Sequence, residues 1–253
     1  MTAQAGGEIA GHGTAGEHRR REDFVEVFRN CPIPDDELLS NVGLFHKRQD
    51  LARSLFLTEL YDRILGVQGV VLEFGVRWGR DLALFQALRG IHEPYNYSRR
   101  IVGFDTFSGF PSVDARDGSA AHVSVGAYDV SEGYESYLQA VLDYHESESP
   151  LAHIRKHELV KGDVTQTVDG FLDDHPETVV ALAYFDLDLY EPTRHCLEAI
   201  RDRLTIGSVV GFDELNCADF PGETLALQEV FGLRAVRLQR SPLTPFPSFF
   251  VVE

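Results

Sequence analysis

Two acidic pairs carry the chain's clearest chemical potential: Asp186-Leu187-Asp188 and Asp213-Glu214. Each closes an apolar run, 179–186 and 207–213. Two acids at i and i+2 at a strand end point to the same face. Unpaired, they repel and are costly to bury, so a cation or a proton must compensate. If the two runs form neighbouring strands, three or four carboxylates converge there. Such a set suits a hard divalent ion such as Mg²⁺, which prefers oxygen ligands. Taken singly, each acid reads as a cap or a surface group.

A glycine loop lies upstream, in Glu73-Phe74-Gly75-Val76-Arg77-Trp78-Gly79, after the apolar run 69–74. A dinucleotide fingerprint places a second glycine two residues after the first, where the backbone touches the pyrophosphate. Arg77 stands in that place. A cofactor without a pyrophosphate does not need that glycine. S-adenosylmethionine (SAM) is such a cofactor, and E-x-G-x-x-x-G is the usual form of its loop. The competing reading is an ordinary strand-to-helix turn.

Further polar groups sit at two later strand ends. Asp105 closes Ile101–Phe104 and precedes Thr106-Phe107-Ser108-Gly109-Phe110-Pro111. An acid there suits a ribose diol, or it caps a turn. Asp163-Val164 follows the run 157–161. Asp163 suits an adenine amino group, with the Val164 amide near a ring nitrogen, or it caps the next helix. His46, Lys47 and Arg48 suit either a methionine carboxylate or solvent.

The elements that must hold these groups alternate. Apolar runs occur at 69–74, 100–105, 157–161, 179–186, 207–213, 233–238 and 248–252. Helical patterns fall near 80–90, 130–146, 166–174, 191–204 and 222–231. Such alternation implies an α/β fold with a mostly parallel sheet. The last two runs are joined by too few residues for a crossover helix, so they should pair antiparallel. Seven strands ending in a hairpin is the Rossmann-like arrangement of class I methyltransferases. Residues 1–22 read as a disordered tail and 23–66 as an N-terminal helical segment. The domain proper is 67–253. Within the segment, a helix over 46–65 is expected to line up Leu51, Leu55, Leu60 and Ile64 on one side. The irregular stretch 106–129 is long enough to be a binding loop or lid.

Composition narrows the partners. The net charge of −17 leaves no basic field for nucleic acid or an anionic membrane. Three cysteines without close pairing form no disulfide framework and fit a reducing cytoplasm. No apolar run of about 18 residues is present to span a bilayer. No G-x-S-x-G elbow points to a hydrolase.

Taken together, the motifs resemble the macrocin-type (TylF-like) sugar O-methyltransferases of antibiotic biosynthesis. The likeness rests on Glu73–Gly79, Asp105–Pro111, Asp186-Leu187-Asp188-Leu189-Tyr190 and Asp213-Glu214, in order over about residues 45–230. It implies SAM as donor, Mg²⁺ as metal, a small-molecule glycoside as acceptor and a homo-oligomer. Its cofactor residues fall on Glu73, Phe74, Gly75, Val76, Gly79, Asp105, Thr106, Phe107, Gly109, Asp163, Val164 and Asp186. Its metal ligands fall on Asp186, Asp213 and Glu214, where the family usually has two aspartates at the close. Asp186 or Asp188 is the candidate base, in an SN2 transfer to a hydroxyl that the metal acidifies. Phe107, Phe110, Tyr128, Tyr134 and Tyr137 are candidate walls of the acceptor pocket. Rival readings are a metal-dependent glycosyltransferase using the D-x-D, a catechol-type O-methyltransferase, and a SAM-binding scaffold without catalysis.

Overall fold

The computed structural model describes residues 13–120 and 122–253. The chain divides into two compact units, Met1–Leu51 and Ala52–Glu253. In the first, α1 (Ala15–Arg29) starts at a capping box, in which the Thr14 side chain and Glu17 satisfy each other's backbone N–H. Asp35–Asn41 forms α2. Phe28 packs edge-on against Phe45, with centroids 4.9 Å apart. Helix α1 thus begins inside the stretch read as a tail, and residues 1–12 lie outside the described residues.

Helix α3 (Arg48–Arg63) carries the division between the units. Its buried stripe is Arg53, Phe56, Leu57, Leu60 and Tyr61, continued by Ile64. These positions follow the i, i+3, i+4 rule. Leu51 and Leu55, expected on the core side, are exposed instead. The aromatic rings of Phe56 and Tyr61 set the buried face, and they lie about 100° round the helix from the expected leucines.

The larger unit alternates strand and helix. In order they are β1 (Val70–Phe74), α4 (Arg80–His92), β2 (Ile101–Asp105), α5 (Tyr134–Ser147), β3 (His157–Lys161) and α6 (Val164–Asp174). Then come β4 (Val180–Phe185), α7 (Tyr190–Arg201), β5 (Leu204–Phe212), α8 (Gly222–Val230), β6 (Gln239–Arg240) and β7 (Ser248–Val251). The sheet order is β3-β2-β1-β4-β5-β7-β6. The first five strands are parallel and β7 is antiparallel to both neighbours. Strand β6 is later and shorter than the 233–238 run suggested. Ser248 pairs with Arg240, and Pro242, Pro245 and Pro247 lack the N–H needed to extend the ladder toward the turn.

Side chains alternate between two cores. Val70, Leu72 and Phe74 join the layer of α6, α7 and α8. Val71 joins α3, α4 and α5 on the other face. On the first face, Phe104, Phe74, Phe185 and Phe212 stack across four neighbouring strands at centroid spacings of 5.1, 4.8 and 5.2 Å. Each such pair adds about 0.5–1.5 kcal/mol beyond burial. This aromatic row fixes the strand ends from which the polar loops leave.

Candidate functional site

Chain order reverses between β1 and β4, and in open α/β sheets ligands bind at the carboxyl ends beside such a switch. The same period-two alternation decides which acids meet there. Glu73 shares the face of Val71, Asp186 that of Tyr184, and Asp213 that of Val209. All three therefore point toward α3 and α4. Backbone bonds continue past the strand ends, from Asp186 N–H to Phe74 carbonyl at 2.8 Å and from Asp213 N–H to Phe185 carbonyl at 2.9 Å.

Arg53 fills the centre of this face and is 4% exposed. Its Nε donates to Asp81 at 2.7 Å. Its Nη2 reaches Asp81 and Asp186, each at 2.6 Å. Its Nη1 donates to Asp213, which also accepts from Tyr184 Oη at 2.6 Å. Burial pushes the Asp186 carboxyl well above its usual range, with Arg53 opposing and Asp213, Asp188 and Asp81 adding repulsion. Among the described residues, no three His, Cys, Asp or Glu side chains stand ready-made as a metal site. Arg53 draws Asp186 and Asp213 onto itself.

Asp188 and Glu214 form a second acidic pair beside the first. Burial raises both carboxyls, and the neighbouring acids push that of Glu214 up further. The buried Oε2 of Glu214 has no partner. Glu223, fully buried at the head of α8, accepts from the Leu187 N–H at 3.1 Å and the Glu214 N–H at 3.3 Å. One side chain thereby ties together the two loops that carry the acids.

On the other side of β1, Asp105 accepts from the Arg77 N–H at 2.7 Å and the Phe107 N–H at 2.6 Å. It clamps the glycine loop to the loop after β2. Each of its oxygens keeps a second lone pair for a ligand. Thr106 Oγ1 donates to the Gly109 carbonyl at 2.7 Å. Arg77, Phe107 and Asp188 all adopt positive φ, at 48°, 54° and 62°. Such strain persists only where the surrounding structure enforces it, and three loops carrying it converge here. Asp163 caps α6, accepting from the Thr165 N–H at 3.0 Å, and Val164 lies in the core.

The stretch 106–129 packs down rather than standing off. Asp117 accepts from the Tyr190 N–H at 2.6 Å, and Phe110 N–H bonds the Ala127 carbonyl at 3.0 Å. Tyr128 lies 5.2 Å from Phe110 and 6.4 Å from Phe220. His122 lies 4.7 Å from Phe220. The Arg77 guanidinium covers the Tyr128 ring at 4.9 Å. Tyr134 and Tyr137 instead pair with each other at 5.7 Å, and Tyr134 meets Trp78 edge-on.

The solved structure of CalS11, a calicheamicin methyltransferase, matches this chain with a TM-score of 0.92 and 44% identity, covering 99% of both chains. The apo structure of CalS11, described as a TDP-rhamnose 3′-O-methyltransferase, matches at 0.83 and 43%, covering 95% of this chain and 96% of that one. The chain belongs to this SAM-dependent sugar O-methyltransferase family. The O-methyltransferase NovP, with a TM-score of 0.60 and 20% identity over 79% of each chain, shares the fold. No protein-family model and no curated protein matches.

In this O-methyltransferase the glycine loop leaves no room for change. Gly75 has φ +95°, and a Cβ there would lie 1.9 Å from the Asp186 carbonyl oxygen. Gly75→Ala is expected to abolish detectable binding of S-adenosylhomocysteine (SAH) in calorimetry. Retained micromolar binding would show that the loop is not the cofactor cradle. Arg53, Glu223, His122 and Phe220 were not singled out by sequence. Only Arg53 leaves a signal there: it is a charge heading an otherwise apolar helical stripe.

Glu73 allows a stability test. It is 1% exposed, and its Oε2 is buried without a partner. Burial, then Asp81 and Asp186, raise its carboxyl well above the usual range. A raised acid favours the neutral form, so its contribution is fully present below about pH 4.3 and is lost as pH rises toward the folded value. Glu73→Gln removes that loss. It is expected to raise the Tm of the cofactor-free protein at about pH 8, with a smaller gain at about pH 5. A lower Tm at both pH values would show that the ionised carboxylate supports the fold.

Proposed function

We propose that the enzyme transfers a methyl group from SAM to a hydroxyl of a nucleotide-linked sugar, within antibiotic biosynthesis. The observation that carries this reading is the carboxylate corner of Asp186, Asp188, Asp213 and Glu214 at the β1/β4 switch, beside the loop clamped by Asp105. CalS11, alike over nearly its whole length, is described as acting on TDP-rhamnose. A sugar nucleotide is therefore preferred to a finished glycoside as acceptor. Arg77, whose buried Nε lacks a partner, is a donor suited to the acceptor's phosphates.

SAM would lie over Glu73–Gly79, with its ribose diol on Asp105 and its adenine near Asp163 and Val164. Phe74, Val76, Thr106, Phe107 and Gly109 shape this cradle. The acceptor would stand among Phe110, Tyr128 and Phe220. A sugar hydroxyl is a poor nucleophile at neutral pH, so its proton must leave as the carbon–oxygen bond forms. Asp188 accepts that proton, since Arg53 occupies one oxygen of Asp186. Positioning in line with the sulfonium methyl supplies much of the remaining rate.

The acids supply carboxylate oxygens, the donors a hard divalent cation prefers, and the Glu214 Oε2 is orphaned in a buried acidic pair, while Arg53 holds one oxygen each of Asp186 and Asp213. Asp186, Asp213 and Glu214 would hold Mg²⁺. When bound, the ion would lower the pKa of the acceptor hydroxyl.

We also read the enzyme as a homo-oligomer. Helices α1 and α2 bury no residue, and Phe24, Val27, Phe28 and Leu39 lie exposed on them. The functional test offers SAM with TDP-rhamnose, free rhamnose and a rhamnosyl glycoside, each with and without Mg²⁺. The expected result is a methylated sugar nucleotide. Methylation of the glycoside alone would contradict the acceptor reading, and methylation of none would contradict the function.

A further inference from the structure

Resting on that functional reading, we propose that Arg53 is a positioning residue for methyl transfer, whose planar fork fixes Asp186 and Asp213 in one arrangement at the ends of β4 and β5. Three elements meet on this single side chain. Asp81 lies in the first turn of α4, directly after the glycine loop. Asp186 follows β4, and its backbone closes on Gly75. Asp213 follows β5 and is shared with Tyr184. Arg53 therefore couples the cofactor loop to both acid-bearing strand ends.

The chemistry of the group matters more than its charge. A guanidinium presents donors in a rigid plane that can serve three carboxylates at once. A lysine ammonium is a point charge on a flexible stem and holds no such fork. Removing Arg53 alone leaves Asp81, Asp186 and Asp213 without their shared counter-ion and is destabilising, so the folded fraction must be read beside turnover. What the arginine adds is a defined orientation. Asp186 keeps 31% of its side chain exposed while Arg53 holds its Oδ2, and Asp213 is 2% exposed. One carboxylate is thus presented at the crevice edge and the other is anchored behind it.

The test compares Arg53→Gln, Arg53→Lys, Asp81→Asn and the Arg53→Gln/Asp81→Asn double variant with wild type. The readouts are kcat on the sugar nucleotide, KM, SAH affinity by calorimetry, and folded fraction by thermal unfolding. Arg53→Gln is expected to lower kcat by about 100-fold or more, the effect of misplacing reacting groups by about 1 Å. Its SAH affinity should change by less than about tenfold. Arg53→Lys should fall between Gln and wild type in kcat. Asp81→Asn should lower kcat less, and the double variant should be no worse than Arg53→Gln, because Asp81 acts through Arg53. A kcat within threefold of wild type, or a loss that only tracks the folded fraction, overturns the proposal. If Arg53→Gln fails to fold, Arg53→Lys and Asp81→Asn decide by the same criteria. Absence of turnover by wild type on every acceptor would instead overturn the functional reading, and this proposal with it.

Discussion

Asp105→Ala is expected to weaken SAH binding by about 100-fold or more, about 2.8 kcal/mol. The size follows from two losses that add. The carboxylate clamps the glycine loop by accepting from the Arg77 and Phe107 N–H groups, at 2.7 and 2.6 Å. Both donors sit on residues of positive φ, which hold that conformation only while the surroundings enforce it. Hydrogen bonds to an ionised acceptor contribute about 1.5–3 kcal/mol each. The proposed ribose contact would go as well. Asp105→Asn should lie between, because its amide oxygen can keep one of the two clamps. Calorimetry on both variants separates the effects. Unchanged affinity in Asp105→Ala would remove Asp105 from the cofactor site.

Asp188→Asn is expected to reduce kcat by about 10²–10⁴-fold, the usual contribution of a positioned base. Folding should not suffer. The substitution is nearly isosteric and removes one charge from a pair of buried acids that burial already disfavours. The Tm is therefore expected to stay or rise while turnover collapses. SAH affinity should hold, since no cofactor contact is assigned to Asp188. A kcat that stays within fivefold of wild type would pass the role of base to Asp186.

The fold was largely legible because its signals are local. Apolar runs of five to eight residues between helical patterns gave the parallel strands. A connection too short for a crossover helix gave the antiparallel pairing of β7. The strand-end acids were legible for the same reason, since position after a strand places a side chain at the carboxyl edge. Arg53 was not, because its partners lie 28, 133 and 160 residues away and only the folded sheet brings them together. Glu223 looks like any acid in a helix's first turn. Its bonds to two distant loops are invisible in sequence. On α3, Leu60 and Ile64 are buried as their spacing predicts, while Leu51 and Leu55 are exposed because Arg53, Phe56 and Tyr61 complete the buried side. Asp163 satisfied two readings at once, and the structure shows the cap. A cap still leaves an oxygen for adenine.

The most direct measurement is a crystal structure with SAH and TDP-rhamnose bound together. The expected result places the SAH ribose on Asp105 and its sulfur above Gly75. One rhamnose hydroxyl should stand within hydrogen-bond distance of Asp188 and in line with the sulfur. SAH bound elsewhere, or a sugar whose hydroxyls all lie away from the Asp186, Asp188 and Glu214 corner, would contradict the account.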